Sequence, residues 1–228
     1  MKYDCGFGVM HYVDWILRHR AACVNIAGSG ATMAGMMKLP ARRELDAKLR
    51  QGFRNKPWDA LLFSGGGNDF AGDRFAEWLL PYNGQTNPQD AIAQPRFTAM
   101  MNELSTLYGQ LASLVHNLSP TTLLFINGYD FPIADGRHVR VAGPWLKPGF
   151  DTRGYPPDVA FRSAVVAILL RQFAAMLQSV CTVFSFVRLV PTQGVLTTRE
   201  WANELHPTNP GFEKIAKVFV SQLESELG

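Results

Sequence analysis

The chain has 228 residues, of which 47% are hydrophobic and 18% are charged, and its net charge is +3. This length and hydrophobic content suit a single α/β domain with a large core. The 22 basic and 19 acidic residues are scattered along the chain, which argues against nucleic acid as a partner.

Membrane insertion and secretion are not expected from the sequence. The longest apolar stretches are too short to span a bilayer, and the N-terminal region lacks the layout of a signal peptide. The three cysteines have no metal-ligand spacing and fit a reduced compartment. A cytoplasmic location is therefore expected, and the oligomeric state is left open.

Four short apolar runs that end at or near polar or glycine positions predict the strands of a buried parallel sheet. They are VNIAG at 24–28, ALLFSGG at 60–66, TLLFINGYD at 122–130 and TVFSFVRLV at 182–190. Segments of helical period lie at 9–20, within 32–53 as a broken stretch, and at 96–117, 157–179 and 210–227. The alternation predicts one three-layer α/β/α domain with a mostly parallel, doubly wound sheet of the flavodoxin-like type. The ligand site is expected beyond the carboxyl ends of the strands.

Two glycine-rich loops follow the first two predicted strands. AGSGAT (27–32) leaves backbone N–H groups free to approach an anionic atom, and SGGGNDFAG (64–72) adds the carboxamide of Asn68 and a carboxylate, Asp69, that can brace the turn. Either loop can also be an ordinary structural turn. Neither has the pattern of a nucleotide phosphate-binding loop.

A histidine stands on a polar turn near the C-terminus. In WANELHPTNPGF (201–212), the turn leads into a predicted amphipathic helix. An imidazole in such a turn can transfer protons near neutral pH. The alternative for His206 is a helix-capping or merely exposed side chain.

These blocks carry a resemblance to a known family. NIAGSG at 25–30, GGND at 66–69 and NELHPTNPGF at 203–212 resemble three of the four signature blocks of the SGNH (GDSL-type) hydrolases. The longer pattern SGGGND, GYDFPIADGR, GPWLKPGF and WANELHPT is similar to a bacterial subgroup. The resemblance implies a serine esterase that cleaves a small-molecule ester, such as an acetyl or short acyl ester, without metal or organic cofactor.

The same resemblance assigns roles to individual residues. His206 matches the general base, and Gly30 and Asn68 match the donors of the oxyanion hole. Such preorganised donors stabilise the anion that develops on the ester carbonyl. Asn203 stands where the family has the aspartate that orients the base.

The segment 127–156 is rich in Gly, Pro and aromatic residues and is too long for a simple connection, so it is predicted to shape the pocket. Its candidate substrate-binding residues are Asp130, Asp135, Arg137 and Trp145. The alternative is that an Asp–Arg pair and a packed indole only make this loop rigid.

The resemblance breaks down at two catalytic positions. Asn203 can accept a hydrogen bond from Nδ1 of His206, but it carries no charge to stabilise an imidazolium. Glu204 or a backbone carbonyl can orient the ring instead. In that case Asn203 is simply a turn residue whose side chain bonds the backbone.

The second departure is the absence of a Gly-Asp-Ser turn from the whole chain. In the family, the first strand and this turn precede a helix that matches 9–20 here, so the serine and its strand are expected upstream of Met1, in a truncated or mis-started chain. Cys5, Ser29 and Ser64 are the alternative nucleophiles. A catalytically silent relative that binds an acyl or glycan ligand is the second interpretation, and a structural α/β protein is the third.

Overall fold

The structure is a computed structural model that describes residues 9–17, 21–28, 30–138 and 143–228. At its centre, three parallel strands lie in the order β1 (Ala60–Phe63), β2 (Leu123–Asn127) and β3 (Val187–Val190). β2 pairs with β1 on one side and with β3 on the other.

Helices occupy most of the remaining described chain. The α-helices are α1 (Val9–Leu17), α2 (Met33–Met36), α3 (Ala41–Gln51), α4 (Gly67–Phe70), α5 (Gln94–Leu118), α6 (Lys147–Thr152), α7 (Val159–Val183) and α8 (Asn209–Leu227). Short 3-10 helices lie at Gly72–Trp78, Pro88–Ala91 and Thr198–Glu200.

The sheet is covered by helices on both faces, because successive side chains of a strand point to opposite sides. Leu124 and Ile126 of β2 belong to the core formed with α5 and α7, and Phe125 belongs to the core formed with α8 and α1. All three side chains are fully buried. The predicted three-layer α/β/α architecture with a parallel sheet is thereby confirmed.

Helix α7 is long and apolar enough to cross a membrane by length and composition alone. Its buried side chains, including Val165, Leu169 and Phe173, pack in the core between α5 and the sheet. Core helices of globular domains have the same composition, so this packing accounts for the apolar character of α7.

The strand predicted at 24–28 is wrong. Residues 22–28 form neither strand nor helix, and Val24 is 52% exposed. A five-residue apolar run becomes a strand only where a neighbouring strand accepts its backbone hydrogen bonds, and no described residue pairs with this segment. Ile26 alone packs against the core.

The other predicted boundaries need smaller corrections. β1 ends at Phe63 because Gly66, at φ 94°, turns the chain into α4. The run 182–190 is a strand only from Val187, since α7 continues to Val183. The segment 127–156 is not wholly irregular, because it contains α6.

The outer edge of β1 has no partner strand among the described residues. Consistent with an edge position, Leu61 and Leu62 are only partly buried, whereas the matching residues of β2 are fully buried. Edge strands present unpaired N–H and C=O groups along their length.

All three strands run in the same direction, so the segments that follow them emerge at one edge of the sheet. These segments are 64–72 after β1, 128–138 after β2 and 191–206 after β3. They contain most of the residues singled out from the sequence.

Candidate active site

The turn that carries His206 is fixed at both ends. An isolated bridge pairs Trp201 with Pro207, and the N–H of Ala202 donates to the carbonyl of His206 at 2.9 Å. Thr208 then caps α8 by accepting a hydrogen bond from the N–H of Gly211. The imidazole therefore projects from a tight, hydrogen-bonded turn.

Asn203 binds the imidazole and braces the turn at the same time. Its Oδ1 accepts the backbone N–H groups of Leu205, at 3.0 Å, and of His206, at 2.8 Å, and lies 3.0 Å from Nδ1 of His206. Because two N–H groups donate to this atom, it is the carboxamide oxygen and can only accept. Nδ1 therefore carries the proton, and Nε2 is left as the basic nitrogen, which is the tautomer a general base needs.

Trp145 packs edge-on against His206, with ring centroids 5.1 Å apart and planes inclined by 69°. Although part of His206 remains exposed to solvent, burial of its ring lowers the pKa below the ordinary value of 6.5. Removal of the ring from water disfavours the charged form, so the shift favours the neutral imidazole that a general base requires.

Glu204 does not orient the imidazole. Its side chain is fully buried, and both carboxylate oxygens accept backbone N–H groups, from Gly136 and from Trp145, Leu146 and Lys147. The carboxylate thereby holds Gly136 and residues 145–147 against the histidine turn. Of the two side chains considered for orienting the ring, it is Asn203 that contacts it.

The glycine loop after β1 is bound to the segment that contains Gly30. Asn68 donates from Nδ2 to the carbonyl of Ala31 at 3.0 Å, and Asp69 accepts the N–H of Met33 at 2.7 Å. Burial raises the pKa of Asp69, and the hydrogen bond from Met33 opposes that rise. Asn68 and Gly30, the two predicted oxyanion donors, therefore lie on adjoining segments.

Gly30 has the open surroundings that an oxyanion donor requires. Its φ is 72°, which favours glycine, and a Cβ placed there meets no atom of the described residues within 4 Å. Among the described residues, no side chain blocks the approach of a ligand atom to Gly30.

Trp145 links the glycine loop to the histidine turn. Its carbonyl accepts the N–H of Gly72 at 3.2 Å, while its ring contacts His206. Gly143 has φ 96°, and a Cβ there would lie 2.7 Å from the indole, so only glycine fits beside the ring. Asn68, in α4, lies four residues before Gly72 in the chain.

A groove of about 430 Å³ opens beside Trp145. Its walls are mainly small or apolar residues, with one carboxylate and one hydroxyl. They include Gly72, Asp73, Ala76, Pro144, Pro148 and Thr152. The loop predicted to shape the pocket, 127–156, supplies much of this lining.

The four candidate substrate-binding residues occupy different settings. Asp130 is buried, and its two oxygens accept backbone N–H groups, from Phe131 and Gly194 on one oxygen and Leu196 on the other. It thereby ties the loop after β2 to the loop after β3.

Asp135 and Arg137 form an ion pair at 2.6 Å, and the guanidinium also donates to the carbonyl of Trp201. These contacts make the loop rigid. Trp145 is the member of the set that lines the groove.

The structure describes one of the three alternative nucleophiles. Ser64 is exposed at the end of β1, and its hydroxyl donates to the Tyr129 hydroxyl at 3.3 Å. Cys5 and Ser29 lie outside the described residues. Within the described ranges, no hydroxyl or thiol forms a hydrogen bond with Nε2 of His206. The same ranges contain no group of three His, Cys, Asp or Glu side chains placed to hold a metal ion.

Sequence reasoning missed two features of this site. Tyr129, at φ 58°, accepts hydrogen bonds from Ser64 and from the N–H of Gly67, and burial raises its pKa. Nothing in the sequence marks a tyrosine for this role. The four hydrogen bonds of the Glu204 carboxylate were also missed, because they join Glu204 to residues 57 to 68 positions away.

Solved lipases and esterases have the same fold as this chain. A Parabacteroides merdae chain described as a GDSL-like lipase is 17% identical at a TM-score of 0.54, over 95% of this chain and 81% of its own. The extracellular lipase of Streptomyces rimosus is 17% identical at 0.54, over 92% and 85%. The native aryl esterase of M. smegmatis is 14% identical at 0.54, over 99% and 88%.

No protein-family model matches the sequence, and no curated protein matches it. The structural likeness establishes the α/β fold of the GDSL-like lipases and esterases for this chain.

Proposed function

We propose that this chain is part of an SGNH-type serine esterase that hydrolyses small carboxylic esters with acetyl or short acyl groups. It supplies the general base and the oxyanion donors of the active site. His206 is the general base, Asn203 holds its tautomer, and Gly30 and Asn68 donate to the oxyanion. The observation that carries the proposal is the 3.0 Å contact between Oδ1 of Asn203 and Nδ1 of His206, three residues apart as the resemblance requires.

The proposed reaction divides these roles between two loops. Nε2 of His206 removes the proton of a serine hydroxyl as its oxygen attacks the ester carbonyl, and returns the proton to the departing alcohol, which leaves an acyl-serine. Water, deprotonated by the same nitrogen, then attacks the acyl carbonyl, and the acid departs as the serine oxygen takes the proton back. The N–H of Gly30 and the amide of Asn68 stabilise the oxyanion, and each such donor is worth about 3 kcal/mol of the barrier.

We assign the serine to an additional strand that pairs with the outer edge of β1, encoded upstream of Met1. Two features support this assignment. The edge of β1 has no partner among the described residues, and Leu61 and Leu62 are only partly covered. A strand at this edge would end beside the glycine loop.

A second function has its own support. Asn203 is uncharged, and no hydroxyl of a described residue is bonded to Nε2 of His206. Both facts favour a catalytically silent relative that binds an acyl or glycan ligand in the groove beside Trp145.

Hydrolysis of short-chain p-nitrophenyl esters separates the two functions. The 228-residue chain is expected to show little turnover, and a chain extended with the upstream strand is expected to hydrolyse the ester in a way that His206→Ala abolishes. An extended, folded chain without turnover, but with saturable ligand binding, would establish the silent relative.

A further inference from the structure

Glu204 is a fully buried carboxylate surrounded by backbone donors. Oε1 accepts the N–H groups of Gly136, at 2.9 Å, and Lys147, at 3.0 Å. Oε2 accepts those of Trp145, at 2.6 Å, and Leu146, at 2.8 Å. Both oxygens of a carboxylate accept hydrogen bonds, which makes it suited to bind four donors at once.

These bonds join the two parts of the candidate site. Glu204 lies between Asn203, which binds the imidazole, and His206 itself. The residue it holds most closely, Trp145, packs edge-on against that imidazole and accepts the N–H of Gly72 through its own carbonyl. One short turn therefore fixes both the base and the ring beside the base.

We propose that Glu204 is a positioning residue of the active site, which sets the distance between Trp145 and His206 by binding the backbone of 145–147. The inference rests on the proposed role of His206 as base. Through Trp145, Glu204 controls how much water reaches the imidazole and where Nε2 points.

Dehydration is the cause of the lowered pKa of His206. The side chain that is hydrogen-bonded to the ring, that of Asn203, is uncharged. A movement of the indole away from the imidazole would admit water and return the pKa toward 6.5. The titration of His206 therefore reports the position of Trp145.

A second buried carboxylate, that of Asp130, offers a matched control for Glu204. Asp130 also accepts three backbone N–H groups and also joins two loops at the carboxyl edge of the sheet. Its partners, Phe131, Gly194 and Leu196, do not include the segment that carries Trp145. Asp130→Asn therefore weakens the contact between the loops after β2 and β3 without releasing the indole of Trp145.

The experiment measures the histidine titration by NMR of the ring Cε1–H groups. The chain has five histidines, and His206→Asn identifies the relevant signal. In Glu204→Gln, an NH₂ group replaces one oxygen and removes two of the four acceptor sites, so the pKa of His206 is expected to rise toward 6.5. Asp130→Asn is expected to leave that pKa unchanged. Trp145→Ala, which keeps the backbone hydrogen bonds of Glu204, is expected to raise the pKa of His206 as Glu204→Gln does.

Two results would overturn the inference: a folded Glu204→Gln protein with an unchanged His206 titration, or an equal shift in Asp130→Asn. If Glu204→Gln does not fold, Glu204→Asp, which keeps both oxygens on a shorter stem, is measured instead. It is expected to give a smaller upward shift, and no shift would again overturn the inference.

This readout does not depend on turnover. The expected shifts in a chain that stays inactive after extension would contradict the proposed esterase, and would establish only that Glu204 sets the position of Trp145 relative to His206. An active chain in which Glu204→Gln leaves the His206 titration unchanged would support the esterase and overturn the positioning role of Glu204.

Discussion

The side chain of Asn68 donates a 3.0 Å hydrogen bond to the carbonyl oxygen of Ala31, and this places the predicted oxyanion amide beside Gly30. The bond keeps the carboxamide fixed without substrate. When an oxyanion forms, the second N–H of the same NH₂ group is available to it, because a carboxamide nitrogen has two donors.

Asn68→Ala in the extended, active chain is expected to lower kcat by about 10²–10³, which corresponds to roughly 3–4 kcal/mol of transition-state stabilisation. KM should change much less, because the interaction is made chiefly in the transition state. Steady-state hydrolysis of a p-nitrophenyl ester measures both constants. Asn102→Ala, at an exposed position of α5, is the matched control and should keep full activity. An equal loss in both variants would remove Asn68 from the oxyanion hole.

Asn203→Asp should raise the pKa of His206, because a carboxylate beside Nδ1 stabilises the imidazolium. The two backbone N–H groups that now bind Oδ1 can also stabilise the new charge. In the extended chain, kcat should rise, since the reverse change in serine proteases costs about 10⁴ in turnover. NMR titration and ester hydrolysis check the two effects, with Asn102→Asp as the control. A lower kcat would show that this site is built for an uncharged partner.

Stability should fall on mild acidification because of His206. Its pKa in the folded protein is below the unfolded value of 6.5, so the unfolded chain takes up the proton first as the pH falls. The stability that the neutral His206 contributes to the folded protein is complete above pH 6.5 and is lost as the pH falls through the lowered pKa. Urea unfolding between about pH 7.5 and about pH 5 should therefore show a smaller loss for His206→Asn than for the original chain. An identical pH dependence in both would contradict the lowered pKa.

The same lowered pKa should shape the activity profile of the extended chain. Neutral imidazole is the active form, so kcat/KM should decline only below pH 6.5. Trp145→Ala should move this decline to higher pH by exposing the ring. A profile that falls above pH 6.5 in the original sequence would mean that another group controls proton transfer.

The nucleophile is predicted to lie on the strand that completes the edge of β1. We expect the reading frame upstream of the Met1 codon to continue for about ten codons or more and to encode an apolar strand ending in Gly-Asp-Ser or a close variant. Adding it should raise solubility, because it covers an open strand edge, and should restore esterase activity. An in-frame stop codon directly upstream, together with a well-folded chain, would favour the silent relative.

Point substitutions test the alternative nucleophiles. Cys5→Ala, Ser29→Ala and Ser64→Ala should each leave the activity of the extended chain within a few-fold of the original. Loss of activity in any one of them would identify it as the nucleophile instead. Ser64→Ala also removes the hydrogen bond between Ser64 and Tyr129. Tyr129→Phe, which removes the same bond and keeps the Ser64 hydroxyl, is therefore its control.

The layered fold could be predicted because its signal is local. The apolar runs of β1, β2 and β3 and the periodicity of the long helices each lie in one continuous stretch. The run at 24–28 failed because its composition is that of a strand, while strand formation depends on a partner that the run itself does not specify. Gly66 shortened β1 through a backbone conformation that composition alone does not fix.

The candidate site could be located where its residues sit in recognisable short motifs, as Asn68 and His206 do, and the roles of these residues stay predictions. Its support was not predictable, because it is built from backbone groups. Glu204 binds four N–H groups that any residue except proline supplies, so its partners leave no mark in the sequence. Asp130, chosen for its charge in a pocket loop, likewise uses both oxygens on backbone donors.

The buried carboxylate of Glu204 also affects how this irregular loop exchanges its amide hydrogens. An amide of Gly136 or of 145–147 can exchange with solvent only when its bond to the carboxylate opens, and opening uncovers a charge that is otherwise fully enclosed. In a deuterium-exchange experiment these loop amides should therefore exchange as slowly as those of β2, whereas the amides of 22–28 should exchange within the shortest labelling time. Slow exchange of Gly136, Trp145 and Leu146, which lie outside the helices and strands, is thus a consequence of one buried carboxylate.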